Sequence, residues 1–247
     1  MNTYLNIDEA LPSDIAYLNI ANAEIPPVLF DFGGITNLFR FNLSNNDFIG
    51  NATTVGKVEQ TQDGYLLGKS GYIDTGLKES EEFTWFVLAR TSSGSNNTPL
   101  VSSLTRSALS PTGFSAGNHL GKQSVTLKVG DASSSTSAFS SQIGGQVVGN
   151  WVLMALSRKN RPTTAFDYNF ACKPQGVVMR IGSQGGNATQ NTVSNITIGA
   201  APDSDYAPTV DTLFNFVSIH NKGMTPAELS ETMNDLVTVF AKQGIML

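Results

Sequence analysis

Leu213-Phe-Asn-Phe-Val-Ser-Ile-His-Asn-Lys-Gly-Met-Thr-Pro-Ala-Glu-Leu229 reads as a strand that turns into a helix. Residues 213–220 are apolar and aromatic enough for a buried strand. Thr225 stands at an N-cap, Pro226 at the first helical position and Glu228 at the third, a capping box with the favoured proline. Leu229, Met233, Leu236, Val237 and Phe240 recur at three- and four-residue spacing and give one apolar face. Gly244 supplies a stop. The spacing predicts a helix over 225–243, packed against whatever the preceding strand belongs to.

Upstream the pattern is strand, turn, strand. Phe83-Thr-Trp-Phe-Val-Leu-Ala-Arg90 is rich in aromatic and β-branched residues and is a strand. Trp151-Val-Leu-Met-Ala-Leu-Ser157 is almost continuously apolar, as for a strand covered on both faces. Further strands are expected at 38–43, 65–67, 71–75, 100–104, 113–116, 124–129, 176–181 and 194–199. Asp63-Gly64, residues 92–99, 117–121, 131–137 and the Gly/Asn-rich 184–191 read as turns or loops. Many short strands with turn signals between them predict a sandwich or barrel. No fixed-period repeat is visible, which disfavours a solenoid or propeller.

Residues 1–30 differ. Pro26-Pro27 disfavours helix and regular strand pairing. The segment reads as an N-terminal arm, for attachment or oligomerisation, or else as a poorly ordered terminus; residues 31–247 form the second unit.

Composition narrows the class. The chain has 247 residues, net charge −5 and 14% charged residues, against about 25% in an ordinary soluble domain. Ser, Thr and Asn supply 69 residues instead, yet 40% of the chain is hydrophobic, so it is not a disordered polyelectrolyte. No apolar run is long enough for a membrane helix. The start, MNTYLNIDEALPSD, lacks a basic and an apolar region, so no secretory signal is expected. Cys172 is the single cysteine, which rules out an internal disulfide and a Cys/His zinc site. Scattered Lys and Arg argue against a nucleic-acid footprint. Low charge suits an adhesive surface, and a missing signal suits synthesis in cytoplasm. Viral particle proteins meet both conditions.

Three segments resemble the laminin-G-like, concanavalin A-like jelly-roll superfamily. Glu82-Phe-Thr-Trp-Phe-Val-Leu-Ala-Arg90 is similar to the family's early core strand. Gly149-Asn-Trp-Val-Leu-Met-Ala-Leu-Ser157 is similar to its central Trp strand. Ile196-Thr-Ile-Gly199 followed by residues 214–229 is similar to its closing strand and capped helix. The resemblance covers residues 38–240. It implies an all-β sandwich of two antiparallel sheets with a C-terminal α-helix, and, from the frequency of such domains in tail and head fibres, a bacteriophage surface protein. It departs from the pattern at 158–170, where no Asn-Gly turn marks a hairpin.

Little chemistry stands out. Glu79-Ser-Glu-Glu82 is the one acidic cluster, and consecutive strand residues face opposite ways, so it reads as a solvated strand entrance rather than a hydrolytic pair. His119 and His220 are the two histidines; no Gly-x-Ser-x-Gly elbow accompanies them. Cys172 reads as a buried thiol. Asp203 and Asp205, with Asp211 nearby, are candidate calcium ligands, although Asp is also an ordinary turn residue. Tyr206 among these aspartates could stack on a sugar. Asn118 with His119, and Arg161 with Tyr168, are further candidate sugar contacts. Trp85 and Trp151 lie in strand patterns and read as core. Sequons at Asn42, Asn51, Asn96, Asn187 and Asn195 are expected by chance in so Asn- and Thr-rich a chain.

The expectation is therefore a non-enzymatic structural or adhesive virion protein, made in host cytoplasm. It is expected to form a homo-oligomer, with a trimer favoured. Residues 1–30 would contact other virion proteins, and a host surface polysaccharide would be the ligand. No cofactor is expected unless calcium binds. The alternatives are a cellular carbohydrate-binding module and a diverged glycanase.

Overall fold

A computed structural model describes residues 28–31, 52–91, 99–105, 117–121, 125–127, 137–139, 148–162, 166–186, 190–201 and 207–247. These carry β1 (Val28–Asp31), β2 (Thr53–Gly56), β3 (Glu59–Thr61), β4 (Gly64–Gly68), β5 (Gly71–Lys78), β6 (Phe83–Thr91), β7 (Pro99–Ser102) and β8 (Asn118–Gly121). They continue with β9 (Val125–Leu127), β10 (Ser137–Phe139), β11 (Trp151–Asn160), β12 (Phe166–Pro174), β13 (Arg180–Gly186), β14 (Asn195–Ile198), β15 (Asp211–His220) and α1 (Pro226–Lys242). The first sheet runs β13-β12-β11-β6-β15-β4-β3, with β1 also on β15; the second runs β10-β9-β8-β7-β14-β5-β2. All neighbours are antiparallel. The fold is an all-β jelly-roll sandwich with a C-terminal helix, as the sequence predicts.

Period-two alternation explains two cores. On β6, Phe83, Trp85, Val87 and Ala89 face the second sheet, while Phe86 and Leu88 face the helix. On β11, Val152, Met154 and Leu156 point inward, and Leu153 and Ala155 point to the helix. The central strands are apolar on both faces because both faces are covered. The helix buries Leu229, Met233, Leu236 and Phe240, each contributing roughly 1.5–3 kcal/mol. Phe240 meets Phe216 edge-on at 5.3 Å.

The helix ends are built as the sequence reads. Thr225 accepts from the Glu228 amide, and Glu228 accepts from the Thr225 amide. At the far end the Gly244 amide donates to Ala241 O and the Ile245 amide to Phe240 O, with Gly244 at φ +80°. That is a Schellman arrangement, which needs a left-handed residue.

A polar row under the β15–α1 connection anchors it. Ser157 Oγ accepts from the Met224 amide at 2.7 Å, Asn169 Nδ2 donates to Met224 O at 2.8 Å, and Thr84 Oγ1 donates to Lys222 O at 2.7 Å.

Four expectations are corrected. Residues 117–121 are not a loop: they form β8, with Leu120 in the inter-sheet core. The strand expected at 176–181 is displaced to Arg180–Gly186, because Gly176, at φ +71°, sits in the hairpin turn after β12. A glycine that reads as part of a turn instead makes room: a Cβ on Gly185 would fall 2.6 Å from the Arg161 guanidinium. The span 158–170, without a hairpin signal, contributes to the β11–β12 pair. Residues 38–43 and 113–116 lie outside the described residues.

The fourth concerns Glu79. It is 2% exposed, not solvated. Its Oε1 accepts from Arg158 Nη1 at 2.8 Å and from Asn118 Nδ2 at 2.8 Å, and its Oε2 accepts from Ser103 Oγ. Arg158 points inward from β11 and donates Nε to Glu81 O and Nη2 to Ser80 O, both at 2.6 Å. Its guanidinium lies 5.0 Å over Phe83 and 5.2 Å over Phe166. The pair closes one end of the sandwich, joining the first sheet to the residues that follow β5.

Candidate functional site

The outer face of the second sheet carries an open groove of about 320 Å³, lined by Tyr72, Asp74, Lys78, Val193, Ser194, Asn195, Thr197 and Ala201. Strand parity puts the first three there. Ile73 is in the inter-sheet core, so Tyr72, Asp74 and Lys78 face outward.

The groove owes its shape to a bulge. Asn195 pairs with Lys78 and Thr197 with Asp74, so two residues on β14 span four on β5. The excess is absorbed at Gly76, at φ +71°, a left-handed conformation that glycine adopts without strain. Asp74 Oδ1 caps the turn by accepting from the Gly76 amide at 2.9 Å, and it also accepts from Asn195 Nδ2 at 2.9 Å. Beneath, Thr75 Oγ1 donates to Ile196 O at 2.7 Å. The floor is therefore an aromatic ring, a carboxylate and an ammonium along one strand.

The opposite wall is held by amides. Asn191 Oδ1 accepts from the Val193 and Ser194 amides at 2.8 and 3.0 Å, and Asn191 Nδ2 donates to Ser103 O. Gln190 Nε2 donates to Glu79 O at 2.5 Å. The groove wall is thus rooted in the buried cluster around Glu79 and Arg158.

Few of the sequence-predicted residues meet here. Asp203, Asp205 and Tyr206 lie outside the described residues; Ala201, on the groove, is the last described residue before them. Asn118 and His119 are buried, at 0% and 3% exposure. Asn118 points inward and serves Glu79. His119 sits in a β8 row beside Ser102 and Thr126, and burial pushes its imidazole down to about 4. Arg161 is half-exposed and pairs with Asp167, donating from Nε at 2.6 Å. Tyr168 is buried in the inter-sheet core, so Arg161 and Tyr168 do not form one surface. Asp211 accepts from the Ser70 amide at 2.8 Å and from Ser70 Oγ at 2.7 Å, fixing the β4–β5 turn.

Among the described residues no three His, Cys, Asp or Glu side chains converge as metal ligands. His220 is buried, with Nε2 at 2.7 Å from Ser218 Oγ, and burial pushes its imidazole down to about 3. Cys172 is buried and burial raises its thiol, which makes it a poor nucleophile. Trp85 is fully buried; Trp151 lies at the edge of the helix-side core with the Arg90 guanidinium 4.8 Å from its ring centre. Among the described residues no helix is long and apolar enough to cross a membrane.

Tyr72, Asp74, Lys78 and Asn195 escape a search for catalytic motifs. Their signal is a turn triplet, Asp74-Thr-Gly76, inside a strand pattern, with Tyr72, Asp74 and Lys78 on one parity.

No protein-family model and no curated protein matches this sequence. Solved structures do match. The ligand binding domain of botulinum neurotoxin serotype D in complex with N-acetylneuraminic acid aligns with TM-score 0.51 and 8% identity, over 85% of this chain and 51% of that one. Botulinum neurotoxin type C, whose passage into cells depends on interaction with two ganglioside molecules, aligns with TM-score 0.51 and 14% identity, over 88% and 53%. A mutant Trypanosoma rangeli sialidase displaying trans-sialidase activity aligns with TM-score 0.50 and 15% identity, over 83% and 32%. The chain spans about half the length of the first solved structures it matches. At these identities the likeness establishes a β-sandwich fold.

Proposed function

We propose that this chain is a non-enzymatic glycan-binding module that serves as an adhesive component of a bacteriophage particle, in a tail or head fibre. The observation that carries the binding part is the groove over β5 and β14. Tyr72 offers an amphipathic ring, and Asp74, Asn195 and Thr197 offer hydroxyl partners beside it. An apolar face flanked by a few placed polar groups is what a sugar ring requires. Sugar-binding domains among the structural neighbours support the same reading. Asp203, Asp205 and Tyr206, which follow Ala201 in the chain, belong to the proposal as further contacts.

Enzymatic hydrolysis would need a second carboxylate across the bond. Among the described residues lining the groove, Asp74 is the one carboxylate, and its Oδ1 already accepts two N–H groups. The virion part rests on composition: few charges and many Ser, Thr and Asn side chains. Weak sugar sites gain strength by repetition on an oligomer.

Titration against an array of bacterial surface glycans tests the reading. Micromolar to millimolar binding that is lost in Tyr72→Ala supports it. The absence of any bound glycan, or full binding by Tyr72→Ala, overturns it. Mass spectrometry of purified particles tests the virion part separately.

A further inference from the structure

Lys78 closes one end of the groove floor, opposite Asn195 in the β5–β14 register. Its ammonium donates to the Val193 carbonyl, and among the described residues it forms no ion pair. A carbonyl fixes a cation in place without cancelling its charge. The carbonyl is itself fixed. Val193 and Ser194 hang by their amides from Asn191 Oδ1, and Asn191 is fully buried and donates to Ser103 O. The other charge in the groove is partly offset: Asp74 Oδ1 accepts from the Gly76 amide and from Asn195 Nδ2. The groove therefore presents one preorganised positive point, and a preorganised group loses less entropy when it binds.

We propose that the Lys78 end of the groove is a subsite for an anionic group, carboxylate or phosphate, carried on an oligosaccharide whose neighbouring ring stacks on Tyr72. Asn191 is the positioning residue, acting through Val193. The proposal rests on the glycan-binding reading above. Tyr72 and Lys78 lie six residues apart on β5, and the bulge shortens this to about four strand steps, roughly 13 Å. The stacked ring and the anionic group thus belong to different sugars of one chain. The protein's net charge of −5 repels anions at long range, so selectivity must come from this local contact and must weaken as salt screens it.

The test is an array of matched neutral, carboxylated and phosphorylated oligosaccharides, read with wild type, Lys78→Gln, Asn191→Ala and Tyr72→Ala. The expected result is preference for one or both acidic sets, with about tenfold loss of that preference in Lys78→Gln, the scale of one charge-assisted hydrogen bond. Tyr72→Ala should lower neutral and acidic binding alike. Asn191→Ala should lower the acidic-to-neutral ratio, a quantity that loss of fold alone does not move. Should Asn191→Ala not fold, Lys78→Gln decides, because its side chain is exposed. Equal binding of neutral and acidic sets, or an unchanged ratio in Lys78→Gln, overturns the inference while the glycan reading stands. No binding to any set overturns both. The carboxylated and phosphorylated sets tell the two anions apart.

Discussion

Arg158 Nη1 and Glu79 Oε1 meet at 2.8 Å with neither side chain exposed to solvent, and this pair joins the inner face of β11 to the chain leaving β5. Desolvating two charges is costly, and the cluster offsets the cost with hydrogen bonds from Asn118 and Ser103 to Glu79 and from Arg158 to Ser80 O and Glu81 O. Removing one partner strands the other. Arg158→Met is expected to lower unfolding free energy by roughly 3–5 kcal/mol, measured by urea denaturation. The double variant Glu79→Gln with Arg158→Met is expected to recover part of that loss. A cost below about 1 kcal/mol for the single variant, the scale of an exposed pair, would show that the cluster is not desolvated.

The two histidines set the acid limb of stability. Burial holds His119 down to about 4 and His220 down to about 3, against 6.5 for the ordinary group. The unfolded chain therefore binds more protons below pH 6.5, and stability falls as pH drops through that value until each folded imidazole titrates. Between pH 7 and 5 the expected loss is on the order of 2 kcal/mol per histidine. Glu79 works in the opposite direction. Burial raises its carboxyl, so it takes up a proton more readily folded than unfolded and offsets part of the loss above pH 4.5. Urea midpoints for wild type and His119→Gln across this range check it; the substitution should flatten the slope. An equal slope in both would mean that His119 is hydrated in the folded state.

Much of this was legible in the sequence, and what was not has physical causes. The double-sided strands and the capped helix were readable because apolar periodicity and caps are local. The strand order and the bulge were not, because pairing is decided by distant residues such as Asn195 opposite Lys78. Gly185 misled because glycine marks a turn or a close approach equally well, and here it receives Arg161. Glu79 misled because its partner lies 79 positions away. Asn118 and His119 read as surface polar residues because burial of a short polar strand is not encoded in its own neighbours.

Oligomerisation separates the arm from the sandwich. Val28–Asp31 pairs with β15, Val28 opposite Ile219 and Asp31 opposite Phe216. A truncation must therefore begin at Pro27 to keep that strand. Light scattering is expected to give a trimer for the full chain and a smaller species for the chain starting at Pro27. A monomer in both would remove the arm's assembly role and leave avidity to the partner that carries the module.

Gly76 offers a way to perturb the groove while leaving the core intact. Its φ of +71° lies in the left-handed region, where a side chain costs about 1–2 kcal/mol. The residue sits on the outward side of β5, between Asp74 and Lys78, and the bulge is pinned from below by Thr75 on Ile196 O. Gly76→Ala should keep the sandwich folded, because the inter-sheet core contributed by Ile73 is untouched. It should also shift the Asp74 cap, which accepts from the Gly76 amide, and so move the carboxylate on the groove floor. The expected outcome is a modest loss in urea stability, about 1–2 kcal/mol, with a larger proportional loss of glycan binding. Asp74→Ala removes the cap and the Asn195 contact together and should weaken binding further. If Gly76→Ala lowers stability as expected while its glycan titration curve overlays wild type, the ligand does not lie over the bulge, and the contacts must be sought elsewhere on the outer sheet.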